Sequence, residues 1–84
     1  MNAESTASHI ALLRQAVIDG QAGAAAAATR QALAAGLPPR RLVDEALIPA
    51  MDEAGRLFEC GDFYVPELLV AARALKASQA LLTP

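Results

Sequence analysis

The sequence has no tryptophan, only two phenylalanines and one tyrosine, a single cysteine, a single histidine and only seven basic residues. Each scarcity removes a class of function. One cysteine, Cys60, excludes an internal disulfide and fits a reducing compartment. One histidine, His9, has no neighbouring Cys or His with which to share a metal, so a solvated or structural role is the better reading. Seven Lys and Arg spread along a chain of net charge -2 and pI near 5.2 do not form the basic face that phosphate neutralisation requires, and no nucleic-acid role is expected.

Long apolar runs are also absent. The N-terminus, Met1-Asn2-Ala3-Glu4-Ser5-Thr6, lacks a basic segment followed by an apolar one, and no stretch approaches the roughly 18 apolar residues of a membrane span. The expectation is a cytoplasmic protein. With 84 residues the chain forms one small domain, which buries only about 60 to 65% of its unfolded surface. The hydrophobic fraction is 55%, but close to half of those residues are alanine, which adds helix propensity and little transfer energy. A thin, closely spaced helical core follows.

Four helices are legible, at about 6–19, 22–35, 39–59 and 66–82, and the short connections favour an all-α up-down four-helix bundle. Ser5 or Ser8 is the expected N-cap of the first, whose apolar residues Ile10, Leu13, Val17 and Ile18 run to Asp19-Gly20. The run Ala24 to Ala28 reads as a close-packed helix rather than disorder, ending at Gly36. Pro39 opens the third helix, and Pro49 inside it predicts a kink or a break near Leu47 or Ile48. The fourth helix starts at Pro66, with Leu68, Ala71, Ala72, Leu75, Gln79 and Leu82 inward and Val70, Ala74 and Leu81 outward.

Candidate chemistry is sparse. Glu-x-x-His pairs, which di-metal bundles need, do not occur. Asp44-Glu45 and Asp52-Glu53 form two carboxylate pairs, but successive helical residues point about 100° apart and the pairs flank the apolar stripe as a solvated face would. Cys60 has no recognisable basic partner and reads as a surface thiol. What stands out is placement: all three aromatics lie between Gly55 and Leu68, where Leu57, Phe58, Phe63, Tyr64, Val65 and Leu68 gather at one end of the bundle. Such a cluster is either the plugged end of the core or a surface for a flat apolar ligand.

The order of residues favours the second. The run Met51-Asp52-Glu53-Ala54-Gly55-Arg56-Leu57-Phe58, then Gly61-Asp62-Phe63-Tyr64-Val65-Pro66-Glu67-Leu68, then Ala72-Arg73-Ala74-Leu75-Lys76, resembles the N-terminal helical cap domain of cobalamin (B12)-binding proteins. That module occurs in methionine synthase and in corrinoid proteins of methanol, methylamine and related methyltransferase systems. The likeness is strong from Leu42 to Pro84 and weak before Gly36, and its specificity lies in linked Gly-x-x-Phe, Gly-x-Phe and Pro-x-Leu elements in fixed register. Light-sensing cobalamin regulators carry a Trp in their cap, and this chain has none.

The resemblance implies a non-catalytic cap that covers the upper axial face of methylcobalamin and shields the Co-methyl bond until transfer to or from a partner methyltransferase. Phe58, Val65 and Leu68 match the covering positions, with Leu57, Phe63 and Tyr64 supporting them from the core. It also implies cobalamin binding only in combination with a Rossmann-like domain bearing an Asp-x-His-x-x-Gly motif, which this sequence lacks, so an excised or truncated domain is the expectation. A small interaction or dimerisation module, docking a protein partner or its own copy through the apolar end, is the alternative.

Overall fold

The structure, a computed structural model, describes residues 3–82. Helix α1 (Ala3–Ile18) buries Ile10, Leu13, Ala16 and Val17, one stripe at helical spacing. It begins at Ala3, so Ser5 and Ser8 lie inside the helix rather than capping it. It ends in a Schellman closure: Gly20 N–H donates to the Val17 carbonyl at 3.0 Å and Gln21 N–H to the Ala16 carbonyl at 2.9 Å. Gly20 takes the left-handed φ of 70° that this closure needs.

Helix α2 (Ala22–Ala34) turns Ala25, Ala28, Thr29 and Ala32 into the protein. Because every one of those side chains is small, its neighbours approach closely, and α1 and the last helix both pack against it. The alanine run is thus a packing surface. A second Schellman closure, through Gly36 and Leu37, ends α2.

From residue 39 to 59 the chain is helical without interruption. Helix α3 (Pro39–Leu42) passes into a π-helical turn (Val43–Leu47) and then into α4 (Ile48–Glu59). The π turn accounts for Pro49. Proline has no N–H for the carbonyl four residues back and crowds it, so regular α geometry at this point leaves Glu45 strained and unpaired. Here Ile48 N–H donates to the Val43 carbonyl, five residues back, and the widened turn absorbs the proline without a break. Leu42, Ala46, Leu47, Ala50 and Ala54 are buried along this helix.

Helix α5 (Val65–Leu82) buries Ala71, Ala74 and Ser78. This corrects the sequence expectation in two places: Ala74 is fully buried rather than outward, and Gln79 is exposed. The cause is the close α2–α5 seam, which admits Ala and Ser against the Ala and Thr of α2, while Leu68, Leu75 and Leu82 flank it half-buried.

Around the bundle α1 packs on α2, α4 and the π turn, and α5 packs on α2 and α4. Two cross-contacts orient the seam. Gly20 abuts Val70, and Thr29 is hydrogen-bonded to Ser78, so α2 and α5 run in the same direction. The end of α1, the start of α2, the end of α4 and the start of α5 therefore share one end of the molecule. Among the described residues, no helix is long and apolar enough to cross a membrane.

Candidate functional site

The shared end carries the aromatic turn. Helix α4 closes with Cys60 N–H donating to the Arg56 carbonyl at 3.0 Å and Gly61 N–H to the Phe58 carbonyl at 3.3 Å. Phe63 N–H reaches back to the Leu57 carbonyl at 2.9 Å, which folds residues 60–64 against the helix end. Leu68 N–H then donates to the Tyr64 carbonyl at 3.2 Å and closes the first turn of α5, where Pro66 costs no hydrogen bond because first-turn amides lack helical partners. The turn is short and tied at both ends by backbone hydrogen bonds.

These bonds hold large apolar side chains in water. Phe58 is 41% exposed, Val65 54% and Tyr64 70%, whereas Leu57, Phe63 and Leu68 are half-buried. The cluster is therefore not a core plug, since none of the six is buried. Tyr64 departs from its expected place: it does not support the others from the core but stands outward, because it precedes the first helical residue of α5. Sequence reasoning also passed over Leu69, which is 59% exposed and lies one helical turn after Val65 on the same face. The i, i+4 pair of aliphatics Val65 and Leu69 was the available signal.

The surrounding charges are simple. Between Leu57 and Ala72 there are three carboxylates, Glu59, Asp62 and Glu67, and no base. The base just before this stretch, Arg56, is committed to Glu53: its Nε donates to Oε2 at 2.9 Å and its Nη2 to Oε1 at 2.6 Å. That bidentate pair holds the Glu53 carboxyl below its usual range and the Arg56 guanidinium above its own. The other carboxylate pair is matched too, Asp44 with Arg40 at 3.9 Å and Glu45 with Arg41. Cys60 is exposed, and its Sγ–H donates to an Asp62 carboxylate oxygen at 3.4 Å. Among the described residues no three His, Cys, Asp or Glu side chains are grouped to hold a metal.

A separate groove of about 320 Å³ between α1 and α4 is lined by Arg14, Gln15, Ile18, Pro49 and Glu53 and shares no residue with the aromatic turn. The turn presents the exposed apolar side chains of Phe58, Tyr64 and Val65. It offers steric cover and apolar contact to something broad.

Comparison with known proteins places the whole bundle. Residues 10–83 match the family model described as a B12 binding domain. The chain is 33% identical over 75 residues to trimethylamine corrinoid protein 1 of Methanosarcina acetivorans, covering 89% of this chain and 35% of that protein. It is 35% identical over 75 residues to trimethylamine corrinoid protein 1 of Methanosarcina mazei, with the same coverage of 89% and 35%. With monomethylamine corrinoid protein 2 of Methanosarcina acetivorans it shares 34% identity over 56 residues, 67% of this chain and 26% of that protein. The chain thus spans about a third of the length of these curated relatives. No solved structure matches it significantly. Four helices, the fixed register of the aromatic turn and a family match over nearly the full length lead to one assignment: the chain belongs to the B12 binding domain family, as a helical cap domain of corrinoid proteins.

Proposed function

We propose that this domain covers the upper axial face of methylcobalamin and shields the Co-methyl bond until the methyl group passes to or from a partner methyltransferase. The observation that carries this reading is the exposure of Phe58 and Val65, two apolar side chains held in water by a turn with backbone hydrogen bonds at both ends. Exposed apolar surface is costly unless something covers it. A corrin ring is flat and largely apolar on its face, and the patch offers it aromatic and aliphatic carbon, so the residues present fit the group.

When bound, methylcobalamin supplies the methyl-carrying chemistry. The chain supplies cover. Phe58, Val65 and Leu68 lie against the ring and exclude water, while half-buried Leu57 and Phe63 back them. The domain contributes no catalytic group of its own. Apolar contacts have little directional preference, so the whole cap lifts away as a unit and exposes the methyl group. The partner domain in this reading is Rossmann-like and holds the cobalamin from below, and the setting is cytoplasmic.

A dimerisation module is less well supported than the sequence alone suggested. The outward apolar positions expected on the last helix, Val70, Ala74 and Leu81, would have given it a second strip, and the full burial of Ala74 breaks that strip. The cap reading is tested by adding the isotopically labelled domain to a methylcobalamin-loaded Rossmann-like domain and following its NMR spectrum. Resonances of Phe58, Val65 and Leu68 are expected to move most. Perturbation confined to other faces of the bundle would refute the assignment.

A further inference from the structure

The α1–α2 turn touches α5 at a point where no side chain fits between them. A Cβ added at Gly20 lies 2.5 Å from Val70 Cγ2 and 2.9 Å from Val70 Cβ, far inside the about 3.5 to 4.0 Å at which carbon atoms rest. Val70 belongs to the second turn of α5, two residues after Leu68 and five after Val65. Farther along the seam, beyond the fully buried Ala71 and Ala74, is the buried hydrogen bond of 3.0 Å between Thr29 and Ser78. Helix α5 is thus pinned at Ser78 and propped at Val70, and its first turns extend beyond the prop.

We propose that Gly20 is a positioning residue for the lid, setting through Val70 how close Val65 and Leu68 stand to Phe58. This rests on the shielding reading above. The lever is simple. At about 1.5 Å of rise per residue, Val70 is about 12 Å from the pin at Ser78 and Val65 about 20 Å from it. Cγ2 can turn away about χ1, but the Cβ contact stays, and relieving it displaces Val70 by about 0.6 Å, which the helix carries to about 1 Å at Val65. Phe58 sits on α4, outside this lever, so the spacing across the lid changes rather than the lid shifting whole.

Gly20 and Gly36 together separate positioning from backbone strain. Both have a left-handed φ, 70° and 93°, so alanine is disfavoured at either. A Cβ at Gly36 meets nothing within 4 Å, whereas at Gly20 it meets Val70. Gly36→Ala therefore reports strain alone, and Gly20→Ala reports strain plus displacement.

The experiment compares these two variants by amide NMR of the domain, and by the photolysis rate of methylcobalamin when the domain is joined to a cobalamin-binding Rossmann-like domain. Gly20→Ala is expected to move the amide resonances of residues 65–70 and to speed photolysis. Gly36→Ala is expected to lose the smaller stability that strain alone costs, while leaving both unchanged. Equal behaviour of the two variants in both measurements would overturn the proposal. Should Gly20→Ala not fold, Val70→Ala removes the touching Cγ2 at a half-exposed position and is expected to move the resonances of Val65 and Leu68; their constancy overturns the proposal equally. If Phe58→Ala leaves photolysis unchanged, shielding itself is wrong, and the resonances of residues 65–70 still judge the lever on their own.

Discussion

Thr29 and Ser78, 49 residues apart in the chain, share a hydrogen bond of 3.0 Å at the centre of the α2–α5 seam, where both side chains are fully buried. The Thr29 hydroxyl donates its one proton to the Ala25 carbonyl at 2.8 Å, so across the seam it accepts from the Ser78 hydroxyl. These are the only buried polar side chains among the described residues, and each completes the other. Replacing Thr29 by the isosteric Val removes the partner of a buried hydroxyl and is expected to cost about 1 to 3 kcal/mol in urea unfolding. The double variant Thr29→Val with Ser78→Ala is expected to recover most of the loss, since an apolar pair leaves nothing unsatisfied. Additive losses would show that the pair does not act as one unit.

Core positions and the aromatic turn are expected to differ in what truncation costs. Leu13 and Leu47 are at most 1% exposed, and changing either to Ala is expected to cost about 2 to 5 kcal/mol, a large share of the stability of any small domain. Phe58→Ala, at a position 41% exposed, is expected to cost about 1 kcal/mol or less. Thermal unfolding of the three variants checks the order. A Phe58 variant as unstable as Leu13→Ala would make that ring a core residue after all.

Much of this was legible in the sequence because alanine, leucine and glycine spacing dictates helices directly. The four helical segments, the closures at Gly20 and Gly36 and the aromatic turn all follow from local patterns. What escaped depends on a neighbour. Pro49 predicts disruption, but whether the helix breaks or widens is decided by the packing of Leu42, Ala46, Leu47 and Ala50 on both sides, which keeps the helix whole and leaves the π turn as the solution. The inward face of α5 was misjudged by one position because leucine looks more buriable than alanine; the small surface of α2 selects Ala74 and Ser78 instead. Thr29 and Ser78 drew no notice for the same reason, although each lies four residues after a buried alanine, Ala25 and Ala74. At the site, Leu57, Phe58, Phe63 and Val65 lie where the sequence grouped them, but the outward turn of Tyr64 depends on where α5 starts, a boundary that spacing fixes only loosely.

The Glu53–Arg56 pair gives the stability a small acid dependence. The carboxyl of Glu53 is held below its ordinary value of 4.5, chiefly by the Arg56 hydrogen bonds. A depressed carboxyl contributes stability that is complete above the unfolded value and fades as pH falls through the folded one. Glu53→Gln is therefore expected to lower stability slightly at neutral pH and to converge with the wild type once the pH falls below the depressed value of the folded carboxyl. The pair is exposed, so the difference is expected to shrink in high salt. A difference that widens on acidification contradicts the pairing.

The 84 residues alone are expected to bind methylcobalamin weakly or undetectably, because the surface is open and contacts one face only. Calorimetric or absorbance titration measures this. Micromolar or tighter binding would mean that the bundle holds the cofactor rather than merely covering it.

The most direct measurement is the photolysis of methylcobalamin in the domain joined to a Rossmann-like cobalamin-binding domain, with Phe58 intact and with Phe58→Ala. Faster loss of the methyl group in the variant, with folding and cofactor loading unchanged, is the predicted result. Equal photolysis rates in the two proteins would contradict the claim that this turn is a lid.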